Sequence, residues 1–249
     1  MSSPARLRLV DPASLPHVWR APELGRTAEP VVATGHSALD AQLPGGGWPV
    51  GSLVEILQER PEQHVWQLLL PGLAKAVAEK PGPIVLIAAP FEPFGPSVGA
   101  QGVPGERLLC IKAGKPAARL WACEQSLRCA DVTAVLAWLP QAKSAELRRL
   151  HMDAQQNNKL LFVFRGVDAQ RDASPARVRL RVEGVDTLRL HILKRRGPPL
   201  EKPLLLPAQS PRMTALLEAR RRRGAAQPGP APTSPRQGSH VLDRTAAPA

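Results

Sequence analysis

No apolar run in this chain reaches the roughly 18–20 residues that a membrane span requires. The opening residues, MSSPARLRLVDPASLP, lack the long apolar stretch of a secretory signal. A soluble, cytoplasmic protein without a membrane partner is therefore expected. Cysteine is scarce. Cys110, Cys123 and Cys129 are odd in number and lack CxxC spacing, which suits neither a disulfide framework nor a zinc site. Cys123 and Cys129 fall in an apolar-patterned stretch and read as buried spectators. The six histidines are scattered with no HxH or HxxxH pair, so no metal and no cofactor is expected. Aromatics are 4% of residues, too few for a base-stacking platform, and no reading helix is recognisable. Sequence-specific base readout is not expected.

What is present is a chain of 249 residues with 43% hydrophobic content, enough for one substantial domain with extended ends. Its net charge of +12 implies an acidic partner, either nucleic acid or an acidic protein surface. The charge is concentrated. Residues 177–223 hold thirteen Lys/Arg against four Asp/Glu, so +9 of the +12 lies in under a fifth of the chain. A merely solubilising surface is the plainer reading of such a run.

Residues 1–30, rich in Pro and Arg, read as an extended arm carrying one short apolar element, LPHVWRA. An α/β domain is expected over 31–206. SLVEIL (Ser52–Leu57), PIVLIAA (Pro83–Ala89), RLLCIK (Arg107–Lys112), VTAVLAWL (Val132–Leu139) and KLLFVFR (Lys159–Arg165) are strand-like. Helical spacing covers Val65–Lys80, Pro116–Ala130 and Ser144–Asn158, the last with a Ser cap. Pro71 inside the first predicts a kink or a delayed start. This alternation implies a mostly parallel sheet flanked by helices. VRLRVEG and TLRLHILKRR then alternate apolar with basic residues, as a half-exposed antiparallel hairpin does, with its turn at Glu183–Asp186. A short basic helical segment over 207–223 and a disordered tail over 224–249 complete the chain.

One segment carries a family resemblance. In VVATGHSALDAQLPGGGWPVGSLVEIL, Thr34-Gly35, Leu39-Asp40, Gly45-Gly46-Gly47 and Gly51 stand in order before a strand. This resembles the entrance to the RecA core, where such a strand leads into the P-loop. A P-loop needs glycines to wrap backbone N–H groups around phosphate, a Lys to neutralise it and a hydroxyl for magnesium. The corresponding window, Gln58–Val65, reads QERPEQHV and has none of these. Trp138 or a neighbour stands where the RecA magnesium-holding Asp would end its strand, and a bulky apolar side chain cannot coordinate a hard cation. No ATPase activity, and no other catalytic role, is expected.

The WRA motif of the arm, the LPGGGWP turn, the LAWL strand and the ILKRRG strand together resemble the ImuA family. The resemblance covers about residues 15–206. It implies a RecA-like core and a non-catalytic accessory role in error-prone translesion DNA synthesis during SOS mutagenesis. The implied partners are an ImuB-like polymerase-family protein and an error-prone DNA polymerase, with RecA and non-specific DNA as further contacts. The family carries no catalytic residues to transfer. Candidate contact residues are Lys194, Arg195 and Arg196 at the end of a strand, and Arg220, Arg221, Arg222 and Arg223 after a short helix. The first group could equally be a solvated strand end, and the second could in part complement a helix dipole. A division inhibitor of the SulA type, on a similar fold, is the competing reading. An active RecA-like ATPase is a weaker one.

Overall fold

The structure is a computed structural model. It describes residues 30–60, 65–184, 187–198, 200, 202–207, 219 and 222–223. The chain divides into two units, Met1–Ala208 and Gln209–Ala249. The expected arm and tail, and the turn residues 185 and 186, lie outside the described residues.

The first unit is built on one eight-stranded sheet. Its strands are β3 (Ser52–Gln58), β4 (Ile84–Ile87), β5 (Leu108–Ile111), β6 (Ala134–Trp138), β7 (Leu160–Gly166), β8 (Val178–Glu183), β9 (Thr187–Lys194) and β10 (Leu204–Pro207). Two short strands before them, β1 (Val31–Val32) and β2 (Trp48–Pro49), pair separately and antiparallel. The sheet order is β10-β9-β8-β3-β7-β6-β4-β5. From β8 through β5 all neighbours are parallel, whereas β8, β9 and β10 run antiparallel. The expected α/β class, mostly parallel sheet flanked by helices and C-terminal antiparallel hairpin are therefore found. Strand β10, which extends the hairpin, was not anticipated.

The continuous apolar strands bury both faces because helices cover both. Val54 and Ile56 of β3 enter one core with Leu68, Leu69 and Leu73 of α2 (Val65–Glu79). Leu53 enters the opposite core with Cys123 and Leu127 of α4 (Pro116–Arg128) and Leu147 and Leu150 of α5 (Ser144–Gln156). Two further helices are short, α1 (Ser37–Asp40) and α3 (Gly95–Gly99).

The Thr-Gly-His entrance is a brace against Pro71. Thr34 N–H donates to Asp40 Oδ1 at 2.8 Å, closing the turn. Gly35 has φ +85°, and a Cβ there would lie 2.3 Å from Pro71 Cβ. Helix α2 runs through Pro71. Proline cannot donate to the carbonyl four residues back, that of Gln67. His36 Nε2 lies 3.2 Å from that oxygen and takes over as its donor.

Three local expectations need correction. Cys129 is exposed and only Cys123 is buried, because Cys129 falls just past the end of α4. Helix α5 is capped by Lys143, not Ser144. Its backbone N–H donates to Glu146 Oε2 at 2.7 Å, which shifts Ser144 into the first turn. Basic residues of the hairpin are not uniformly half-exposed, since Arg179 is buried.

Candidate functional site

Chain connections leave β3 toward β4 on one side of the sheet and reach β8 on its other side from β7. Ligand crevices in open parallel sheets form where the connections diverge, beyond the carboxyl ends of the strands. Here that place is the end of β3 at Gln58, where Glu59 and Arg60 follow; 61–64 of the expected window lie outside the described residues. A cleft of about 530 Å³ opens beside it, lined by Glu59, Val167, Asp168, Gln170, Arg171 and Arg181. A second of about 510 Å³ lies between the loop after β6 and the loop after β7, with Lys143, Ser144, Arg165 and Asp172 on its walls.

Beneath both clefts sits an ionic network. The Glu55 side chain, 0% exposed, accepts from Arg165 Nη1 at 3.0 Å and from Arg179 Nε at 2.6 Å. Register explains the meeting: Glu55 pairs with Val163 of β7 and Arg179 of β8, and Arg165 is two residues further along β7. Arg165 Nη2 continues to Asp172 Oδ2 at 2.8 Å. Arg179 also donates to the carbonyls of Ala169, Gln170 and Asp172. The loop after β7, including the 3-10 turn Val167–Arg171, is thus pinned to the sheet by two buried guanidinium groups. Hydrogen bonds to charged groups are the stronger class, so this loop is held firmly. Sequence reasoning missed Glu55 and Arg179. The signal was a lone carboxylate inside the apolar run SLVEILQ, facing an Arg in the alternating run VRLRVE.

Trp138, at the end of β6, stacks on Phe164 with ring centroids 4.5 Å apart. The position expected to lack a magnesium-binding Asp therefore holds a packing contact. Among the described residues, no group of three or more His, Cys, Asp or Glu is placed to hold a metal ion. No described helix is long and apolar enough to cross a membrane.

The basic candidates fall in both units. Lys194 ends β9 and its Nζ donates to the Ser174 carbonyl at 2.9 Å. Arg195 is a latch: it donates to the carbonyl and to the side-chain oxygen of Gln42, and its Nε to the Pro198 carbonyl at 3.0 Å. Arg196 follows in the exposed turn. Arg222 and Arg223 are helical and exposed in the second unit, whereas Arg220 and Arg221 lie outside the described residues.

Near the amino end of β3, His151 of α5 accepts the Leu53 N–H at Nδ1, 3.1 Å away. Burial, with Arg177 and Lys194 nearby, lowers its pKa below the usual 6.5. Burial also lowers that of His36, against hydrogen bonds to backbone that raise it.

No family model matches the chain. It is 30% identical over 112 residues to the cell division inhibitor SulA of Edwardsiella piscicida, which is 45% of this chain and 67% of that protein.

Proposed function

Since the chain belongs to the SulA-like family, we propose that it is a non-catalytic binding protein of the SOS response to DNA damage. In the finer reading it is an ImuA-type accessory of error-prone translesion synthesis, working beside an ImuB-like polymerase-family protein and an error-prone polymerase. RecA is a further partner in that reading. The observation that supports a binding role over an ATP cycle is the end of β3. The strand ends at Gln58 and is followed by Glu59 and Arg60, and its flank is occupied by Glu55, Arg165 and Arg179. The adjoining cleft carries two carboxylates, Glu59 and Asp168, against two guanidinium groups, Arg171 and Arg181, and so offers a polyphosphate no net positive charge.

A second reading, division inhibition, is favoured by the similarity to SulA, a cell division inhibitor. The two readings separate in one experiment. The full chain is immobilised and offered an ImuB-type protein, RecA and a tubulin-like division protein in parallel. Capture of the first, with or without RecA, supports the translesion role. Capture of the division protein alone overturns it in favour of the second reading. A melting shift with Mg-ATP would overturn the non-catalytic reading of both.

A further inference from the structure

A third hollow, of about 240 Å³, opens between the starts of α4 and α5. Its floor is apolar, made by Pro116 and Leu120 of α4 with Leu139, Pro140 and Ala142 of the loop after β6. Leu120, Leu139 and Ala142 also belong to the core beneath the two helices, so the hollow is a window onto that core. Small-molecule sites usually occupy about 300–1,000 Å³. This hollow is smaller, and it suits one aliphatic or aromatic side chain rather than a whole ligand.

The rim is charged. Arg119 and Lys143 line it together with one acid, Glu146. That acid is already engaged, since Glu146 Oε2 accepts the Lys143 backbone N–H at 2.7 Å. Arg119 is steadied by its Nε, which donates to the Ala113 carbonyl at 2.9 Å. The two segments that lead into the helices, 112–115 and 139–143, hold Lys112, Lys115 and Lys143 and no acid. Lys112 is matched by Glu92 at 2.7 Å, which leaves Lys115 and Lys143. Both helices also bring the positive ends of their dipoles to this rim. An apolar socket beneath a cationic rim complements an apolar side chain with carboxylates beside it. A nucleic acid would use the rim and gain nothing from the socket.

We propose that this groove docks an acidic segment of a partner protein: one leucine or phenylalanine of the partner seats between α4 and α5, and carboxylates flanking it meet Lys115, Arg119 and Lys143. The docking rests on the binding role proposed above and holds for either pathway. None of the residues of the buried ion network lines the groove, so occupying it or altering its rim leaves Glu55, Arg165 and Arg179 in place.

The test is fluorescence anisotropy of the full chain with a fluorescein-labelled peptide, Asp-Glu-Leu-Phe-Asp-Glu. Saturable binding that weakens with salt is the expected result. A peptide with Ser in place of its Leu and Phe should bind about tenfold more weakly, and so should one with Asn and Gln in place of its acids. Arg119→Glu and Lys143→Glu should each raise the Kd about tenfold. Lys75→Glu, the same charge change at an exposed position of α2 on the other face of the sheet, should leave it unchanged. Lys143→Glu serves if Arg119→Glu, which loses its hydrogen bond to Ala113, fails to fold. A chain that does not bind the peptide overturns the proposal. So does binding that both rim variants leave intact, or that the Ser peptide matches, or rim variants that weaken binding of a labelled oligothymidylate but not of the peptide. The partner capture described above is then repeated with Lys143→Glu. Whole partners held as firmly by this variant as by the parent chain leave the binding role standing and remove the groove from it. A parent chain that captures no partner removes both.

Discussion

Removing the carboxylate of Glu55 would leave buried Arg179 with only carbonyl partners and Arg165 with Asp172 as its remaining acid. Arg165 and Arg179 are 5% and 9% exposed at the side chain, and Glu55 is the acid they share. Breaking a buried ion pair on one side costs about 3–5 kcal/mol, because an uncompensated charge remains. Glu55→Leu should therefore lower unfolding stability by about that much in urea titration. Replacing all three residues by apolar ones of similar volume should recover most of the loss. His151 gives a second expectation. It must be neutral at Nδ1 to accept the Leu53 N–H, and its pKa in the folded protein is held below 6.5 by burial, Arg177 and Lys194. Below pH 6.5 the unfolded chain therefore binds more protons than the folded one. The stabilisation is complete above that pH and is lost as the pH falls through 6.5 toward the depressed value. Melting temperature should drop between pH 7.5 and 5, and drop less in His151→Gln, whose amide oxygen can still accept.

At the level of elements, α2 and the Thr-Gly-His turn act as one unit. Proline in a helix interior costs about 3 kcal/mol, less what it gains by stiffening the unfolded chain. Here His36 repairs part of the damage at the Gln67 carbonyl. Pro71→Ala keeps the Cβ that Gly35 packs against and restores the missing N–H, so stability should rise by about 1–2 kcal/mol. His36→Ala should then cost less in the Pro71→Ala background than in the parent chain. A double-mutant cycle reads the difference directly, and additive effects would refute the repair. The helix itself was legible from Leu68, Leu69 and Leu73 at helical spacing. So were the parallel strands, whose continuous apolar runs need cover on both faces. What was not legible depended on register. Nothing local in VRLRVE says that Arg179 is buried, because its partner Glu55 lies 124 residues away. The Ser144 cap failed for a local reason, since Glu146 reaches back to the Lys143 N–H and makes that residue the cap. Strand β10 was too short to stand out, and only its pairing with β9 makes LLLP a strand.

Across the whole molecule, charge and availability do not coincide. Residues 177–223 carry +9 of the net +12, yet much of the hairpin's share is already committed. Arg179 is spent on Glu55 and on loop carbonyls, and Arg181 pairs with Glu183. Arg195 holds Gln42, and Lys194 holds the Ser174 carbonyl. The run Arg220–Arg223 belongs to the second unit. An acidic partner should therefore feel the run more than the strand end. If that partner is DNA, every phosphate that a side chain no longer neutralises lowers the salt slope of log K by about 0.9. Changing Arg220–Arg223 to Ser should flatten the slope by up to about 3–4. Arg195→Ala should do the opposite, lowering the melting temperature and leaving the slope alone, because its hydrogen bonds tie β9 to the loop at Gln42. A salt titration paired with a melt on the two variants separates binding charge from structural charge. If Arg195→Ala flattened the slope and the Arg220–Arg223 variant did not, the strand end would be the contact surface and the run a solubilising one.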